Sequence, residues 1–169
     1  MKILLILVIS VFTNNFLAQK TFSSKSVLGH ELGAAFSTHA QVVDYFEELN
    51  RVFPNNSKLE IYGESHEGRT LQLMFIGSEN TIKNLEQVRN NHINTSVNEN
   101  IPIVWLSYNV HGNESSGTEA AMETALILLR DKKEWLDNVL IIIDPCLNPD
   151  GRDRYVNFFK QYSTLSKNS

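Results

Sequence analysis

Residues 101–118 read IPIVWLSYNVHGNESSGT, and this stretch decides the fold. Its apolar start, Ile101 to Leu106, predicts a buried strand. After the strand come His111, Gly112, Asn113 and Glu114, then small residues, and then a helical pattern from Glu119. A histidine and a carboxylate three residues apart therefore lie in the turn between strand and helix. Because ligands of open α/β sheets bind beyond the carboxyl ends of the strands, His111 and Glu114 are candidate site residues.

A second apolar run, Asn138 to Asp144, predicts a central strand buried on both faces. The helix before it runs from Glu119 to about Lys132 and has alanines and leucines suited to packing on a sheet. Strand, helix and strand make a βαβ unit with parallel strands and a right-handed crossover. Both carboxyl ends then face one edge of the sheet, so we expect the segment after Asp144 to lie beside His111.

That segment contains Asn148-Pro149-Asp150-Gly151, whose composition predicts a turn. A plain surface turn is one interpretation of this composition. The other is that the turn walls a cleft, in which case Arg152 or Arg154 could face an anionic substrate. We therefore treat both arginines as candidate substrate-binding residues.

Earlier in the chain, Thr38 is suited to cap a helix that ends near Phe53. Two alternating runs, 58–64 and 70–77, predict a β-hairpin, because only five residues including a glycine separate them. A more polar helix is expected over 80–93, and residues 21–37 predict an extended lead-in. The expected class is α/β, with a mixed sheet flanked by helices.

Composition limits the function classes. The chain has 169 residues, enough for one domain, and 42% of them are hydrophobic, enough for a core. The net charge of −4 and the lack of a basic stripe argue against a nucleic-acid partner. The single cysteine, Cys146, follows an apolar run and is predicted to be a small buried hydrophobe.

The N-terminus resembles a secretory signal. Lys2 precedes an almost wholly apolar run, Ile3 to Phe12, and Ala18 is suited to cleavage. The run is shorter than the roughly 20 residues that span a bilayer. We expect residues 1–18 to be a signal peptide and residues 19–169 to be secreted or periplasmic, without a transmembrane segment. The alternative is a buried N-terminal helix.

The His111–Glu114 pair is suited to zinc, which binds imidazole and carboxylate ligands at about 2.0–2.2 Å. Gly112 lets both side chains turn towards one point. A catalytic zinc needs three protein ligands and an open position for water, and only two ligands are evident here. The alternative is a strand-end turn in which Glu114 stabilises the helix N-terminus through the helix dipole.

Three motifs carry a family resemblance. His111 to Glu114, Asn148 to Gly151 and the run Gly63 to Leu71 (GESHEGRTL) together resemble zinc carboxypeptidases of the A/B and N/E types. The resemblance implies a partial zinc-carboxypeptidase-like fold, one Zn²⁺ and hydrolysis of C-terminal peptide bonds in peptide or protein substrates. It also implies that His111 and Glu114 are the first two zinc ligands.

The same comparison shows departures from the family pattern. No histidine follows His111, so the family's third ligand has no counterpart, and neither does the general-base glutamate. We therefore expect residues 19–169 to be the N-terminal part of a catalytic domain that is inactive alone. Two alternatives remain: a non-catalytic carboxypeptidase-like binding module, and an aspartoacylase-type amidohydrolase.

Overall fold

A four-stranded mixed sheet organises the molecule, in the order β1 (Ser57–Glu64), β2 (Thr70–Ile76), β4 (Leu140–Asp144) and β3 (Ile103–Ser107). The computed structural model describes residues 22–94 and 101–165, with side chains to residue 163. The predicted signal peptide, residues 1–18, and most of the loop before β3 lie outside this part. β1 and β2 are antiparallel, as the hairpin prediction requires, and β3 and β4 are parallel. The α/β class with a mixed sheet is therefore confirmed.

Helices flank the sheet. Two of them, α2 (His39–Val52) and α5 (Ser115–Asp131), supply most of the core on one face, where Val42, Phe46, Met122 and Leu129 are fully buried. The helices are α1 (Ser24–Leu28), α2 (His39–Val52), α3 (Glu79–Lys83), α4 (Leu85–Ile93), α5 (Ser115–Asp131) and α6 (Pro149–Leu165), with a 3₁₀ helix at Lys133–Asn138. In the described ranges, no helix is long and apolar enough to cross a bilayer.

The prediction of a buried strand at Ile101–Leu106 is wrong. β3 lies at the edge of the sheet and pairs with β4 alone in the described part of the chain. Ile103, Val104 and Trp105 are 37%, 42% and 60% exposed. β4 lies between β2 and β3, and all five of its residues are buried, as predicted. An apolar run predicts a β-strand, but whether that strand is central or at the edge depends on which other strands pair with it.

The Asn148–Gly151 segment is also not a free turn. Asn148 precedes α6, and its side-chain Oδ1 accepts a hydrogen bond from Gly151 N at 2.9 Å. Pro149 occupies the first helical position, where its missing N–H costs nothing, and Asp150 follows in the first turn. Residues that favour turns also favour helix starts, which is why composition predicted the wrong structure here.

Three other boundaries differ from the predictions. α5 begins at Ser115 rather than Glu119. The lead-in contains α1, which Gly29 ends with a left-handed φ of 78°. The predicted helix at 80–93 is two helices, because Asn84 leaves helical geometry and its Nδ2 donates to Asn80 O at 2.8 Å.

Candidate metal centre

The turn after β3 is shaped by Asn109. Its φ of +57° is the only positive value among non-glycine residues in the part of the chain that the structure describes. Asparagine tolerates this left-handed conformation better than most residues. Its Nδ2 donates to His111 O at 2.6 Å, and its Oδ1 lies 3.2 Å from Cys146 Sγ. Sequence reasoning missed Asn109, although an asparagine between a strand and a candidate ligand is a usable signal.

His111 and Glu114 meet across the turn. His111 Nδ1 and Glu114 Oε1 are 3.0 Å apart, and His111 N donates to the second carboxylate oxygen at 3.1 Å. Their side chains are 73% and 52% exposed. The bonds from the His111 side chain and backbone lower the pKa of Glu114. The carboxylate is therefore ionised at neutral pH, which is the form that binds metal.

The segment before α6 passes directly beside this turn, as predicted from the parallel strands. Asn148 N donates to Asn109 O at 3.1 Å, and Asn148 Nδ2 donates to Val110 O at 3.2 Å. A Cβ atom built on Gly112 would lie only 2.1 Å from the carbonyl carbon of Gly151. Backbone therefore touches backbone here, and only glycine fits at position 112 without a shift.

The pair fits part of a zinc site. Two ligands that are each about 2.0–2.2 Å from a tetrahedral zinc lie about 3.3–3.6 Å apart. The 3.0 Å between His111 Nδ1 and Glu114 Oε1 is a hydrogen-bond distance, a few tenths of an ångström shorter than that separation, so a small movement apart would let both atoms bind one metal. However, residues 22–94 and 101–163 contain no group of three or more His, Cys, Asp or Glu side chains that could hold a metal. His39 and His92 lie near backbone carbonyl oxygens instead, at 2.8 Å each. The structure thus offers two candidate ligands.

The two candidate arginines have different environments. Arg152 is fully buried, so the structure does not present it to a substrate. Its guanidinium donates to Ser37 O and Ser115 O at 3.0 Å and to Glu119 Oε1 at 2.7 Å. Arg152 thus connects protein segments. The prediction that it binds substrate is wrong in this structure, because its guanidinium is buried and all of these bonds run into the interior.

Arg154 is 71% exposed and pairs with Glu67 of the hairpin loop. The structure places it on the surface of α6, two residues beyond the buried arginine. Its role as a substrate-binding residue stays a prediction.

A buried carboxyl group that sequence reasoning missed lies at the end of β4. Asp144 is 2% exposed, and its Oδ2 accepts a hydrogen bond from the Tyr62 hydroxyl at 2.8 Å. Its Oδ1 has no hydrogen-bond partner in the described part of the chain. Burial raises the pKa of Asp144, and the bond from Tyr62 and the nearby Cys146 backbone N–H oppose this only in part. Cys146 itself is buried, as predicted, and burial raises the pKa of its thiol to about 12.

The fold and this turn define a class. The family model described as zinc carboxypeptidase matches residues 42–168, and the chain belongs to that family. A curated relative, carboxypeptidase D of Drosophila melanogaster, is 29% identical over 122 residues, which are 69% of this chain and 8% of that protein.

Solved structures agree on the fold. The carboxypeptidase A of Helicoverpa armigera is similar with a TM-score of 0.56 and 23% identity, over 80% of this chain and 32% of that one. Bovine thrombin-activatable fibrinolysis inhibitor, solved with tick carboxypeptidase inhibitor, is similar with a TM-score of 0.53 and 15% identity, over 70% of this chain and 33% of that one. The chain therefore spans about a third of these structures.

Proposed function

We propose that this chain is the N-terminal part of an exported zinc metallocarboxypeptidase, which hydrolyses C-terminal peptide bonds of peptides or proteins. The observation that carries the proposal is the convergence of His111 and Glu114 at the end of β3, in a chain of the zinc carboxypeptidase family. Membership of that family also favours this function over the aspartoacylase-type alternative.

In this proposal His111 and Glu114 hold the metal. Zinc, when bound, polarises a carbonyl group and lowers the pKa of a bound water to about 7. The chain's own residues prepare the site: the Asn109 side chain bonds the His111 carbonyl oxygen, and the lowered pKa of Glu114 keeps a carboxylate available. Arg154 remains the candidate for contact with an anionic substrate group.

Two ligands support only weak zinc binding, because catalytic zinc sites take three protein ligands. A general base is typically worth about 10²–10⁴ in rate, and the family's glutamate has no counterpart in these residues. We therefore expect the 169-residue chain alone to bind zinc weakly and to release no measurable C-terminal residues. Activity of this chain on a blocked dipeptide, lost on adding a chelator, would contradict the expectation of inactivity.

Zinc titration tests the metal pair. Isothermal titration of the folded chain with zinc chloride should show one weak site. We expect His111→Ala and Glu114→Ala each to weaken it at least about tenfold, because each removes one of two ligands. His66→Ala is the matched control, since His66 is exposed in the hairpin loop and distant in sequence from the turn. Unchanged zinc affinity in His111→Ala would overturn the proposed metal site.

A second candidate function is a non-catalytic binding module. It is favoured by the finding that residues 22–94 and 101–163 contain no group of three or more potential metal ligands. The nucleotide sequence after codon 169 discriminates the two: an open frame encoding a further histidine and glutamate supports the enzyme, and a stop codon supports the module.

Export has its own test. Expression of the whole chain in a bacterial host, followed by N-terminal sequencing of the protein outside the cytoplasm, should give a protein that begins at Gln19. Retention of residues 1–18 on a cytoplasmic product would contradict export.

A further inference from the structure

The hairpin loop between β1 and β2 holds the first turn of α6 through one carboxylate. Asp150 Oδ1 accepts hydrogen bonds from Ser65 Oγ and Arg69 Nη1, both at 2.7 Å. Asp150 Oδ2 accepts one from the backbone N–H of Glu67 at 3.2 Å. The side chain of Asp150 is only 13% exposed. Charge-assisted bonds in such a setting are stronger than neutral ones, so Asp150 is firmly located.

Asp150 is bonded covalently to Gly151, and Gly151 touches Gly112 in residues 109–114, the metal turn. The backbones of Gly151 and Gly112 approach so closely that no side chain fits between them. Gly112 in turn follows His111 directly and precedes Glu114 by two residues. A shift of the first turn of α6 would therefore displace the backbone of Gly151, which packs against Gly112 in the His111–Glu114 turn.

Asn148 strengthens the same link from the other side. Its side chain accepts a bond from Gly151 N at 2.9 Å and donates one to Val110 O at 3.2 Å. Asn148, two residues before Asp150, and Gly151, one residue after it, are thus both in contact with the metal turn. The Asp150 side chain itself bonds only to the hairpin loop in the described contacts.

We propose that Asp150 is a positioning residue for the His111–Glu114 pair. Its bonds to the Ser65–Arg69 hairpin loop fix the position of the first turn of α6, and the contact of Gly151 with Gly112 in turn fixes the position of the metal turn. The inference rests on the proposed zinc function and deepens it, since it explains why the hairpin motif and the helix-start motif occur with the histidine turn.

Asp153 provides a matched control on the same helix. It also bonds Arg69, through Nε at 2.9 Å, and it accepts a hydrogen bond from His39 N at 2.8 Å. However, it lies two residues beyond Gly151, and its neighbours Arg152 and Arg154 bond none of residues 109–114 in the described contacts. Loss of Asp153 should therefore affect stability without affecting the pair.

The experiment measures zinc affinity and thermal stability of the whole chain in parallel. Removing residues that orient metal ligands typically costs 10–100-fold in affinity. We expect Asp150→Ala to raise the zinc Kd about tenfold, and Asp150→Asn, which keeps an acceptor oxygen for Ser65, to give a smaller rise. We expect Asp153→Asn to lower the melting temperature while the zinc Kd stays within about twofold of wild type.

The outcomes separate the two proposals. If His111→Ala weakens zinc binding and Asp150→Ala and Asp150→Asn do not, the positioning role is refuted and the zinc site stands. If Asp153→Asn weakens zinc as much as Asp150→Ala, the effect is general loss of structure, and the positioning role is likewise refuted. If Asp150→Ala does not fold, the Asp150→Asn and Asp153→Asn comparison decides alone. Unchanged zinc affinity in His111→Ala refutes the zinc site itself.

Discussion

Two glycines allow the candidate metal turn and the last helix to touch. A Cβ at position 112 would lie 2.1 Å from a backbone atom of Gly151, whereas one at Gly117, within α5, would meet nothing closer than 3.8 Å. Side chains are easily moved, but backbone held by α6 is not. The requirement for glycine at position 112 is therefore a requirement of the tertiary contact.

This contrast predicts the effect of adding one methyl group. We expect Gly112→Ala to lower the free energy of unfolding by about 1–3 kcal/mol, the usual cost of overpacking. Gly117→Ala is the control and should be neutral or stabilising by up to about 1 kcal/mol, because alanine favours helices. Urea denaturation measures both. Equal stabilities of the two variants would show that the close contact does not exist in solution.

The buried Asp144 carboxyl makes a prediction about pH. Its pKa is raised in the folded protein, mainly by burial. Such a group contributes stability below its unfolded pKa, about 3.9, and that contribution is lost as the pH rises through the folded pKa. Asp144→Asn keeps the shape and an acceptor for Tyr62 but cannot ionise. We therefore expect this variant to be more stable than wild type at pH 7, with the difference vanishing near pH 3.

Asp150 is the opposite case and serves as the control. Burial opposes ionisation there as well, but hydrogen bonds from Ser65, Arg69 and the Glu67 N–H lower its pKa overall. Its stabilising effect is present above about pH 4 and is lost as the pH falls through the folded pKa. Asp150→Asn should thus be less stable than wild type at pH 7. The free energy of unfolding, measured by chemical denaturation at several pH values from 3 to 8, tests both predictions. A difference between wild type and Asp144→Asn that stays constant over this pH range would contradict the raised pKa.

At the level of elements, the two edges of the sheet differ in character. β1 carries Lys58, Glu60 and Glu64, and its register with β2 shifts between Ile61 and Gly63. Charges and bulges of this kind prevent edge-to-edge pairing. β3, residues IVWLS, has no charge, and three of its apolar side chains are more than a third exposed. No described strand pairs with its outer edge, so this edge is unprotected within residues 22–94 and 101–165.

The unprotected edge predicts self-association. We expect the isolated chain to associate as its concentration rises, and Trp105→Lys to reduce this, because a lysine on an edge strand disfavours pairing. Stability should change by no more than about 0.5 kcal/mol, since Trp105 is 60% exposed. Light scattering across a dilution series measures the effect.

Ile61→Lys is the matched control, because Ile61 is 63% exposed on the edge that is already charged. It should leave association unchanged. Identical association of wild type and Trp105→Lys would exclude β3 as the associating edge.

For the whole molecule, Arg152 is the residue that joins distant segments. Its guanidinium bonds the backbone before α2, the start of α5 and Glu119, and it is itself part of α6. Glu119 also accepts a hydrogen bond from Ser37 N at 2.7 Å. Removing one partner of a buried pair leaves an uncompensated charge, which typically costs about 3–5 kcal/mol.

We therefore expect Arg152→Met to lower the free energy of unfolding by about 3–5 kcal/mol, and Arg152→Met with Glu119→Gln to recover part of the loss. Arg154→Ala is the control and should change stability by no more than about 0.5 kcal/mol, because its side chain is 71% exposed. Chemical denaturation compares the three variants. A stable Arg152→Met variant would contradict the structural role assigned to this arginine.

Local pattern predicted much of the molecule. Periodicity predicted the hairpin, and the capping residue Thr38 predicted the start of α2. The rule for βαβ units predicted the parallel pairing of the two apolar runs, and with it the position of Asn148 beside His111. Edge placement of β3 and the helical start at Pro149 did not follow. The place of β3 depends on which other segments lie alongside, and no window of sequence contains that information. The helix start was missed because asparagine, proline and aspartate favour turns as well as helix starts.

The amino-acid sequence by itself determined the class of fold, the succession of the four strands along the chain and the histidine–glutamate turn, because each is marked by residues close together in the chain. Only the tertiary structure decided which charges point outward. Arg152 and Arg154 are two residues apart and alike in chemistry, yet one is fully buried against Glu119 and the other is solvent-exposed. Successive side chains on a helix point in directions about 100° apart, so packing alone decides which of them meets the core.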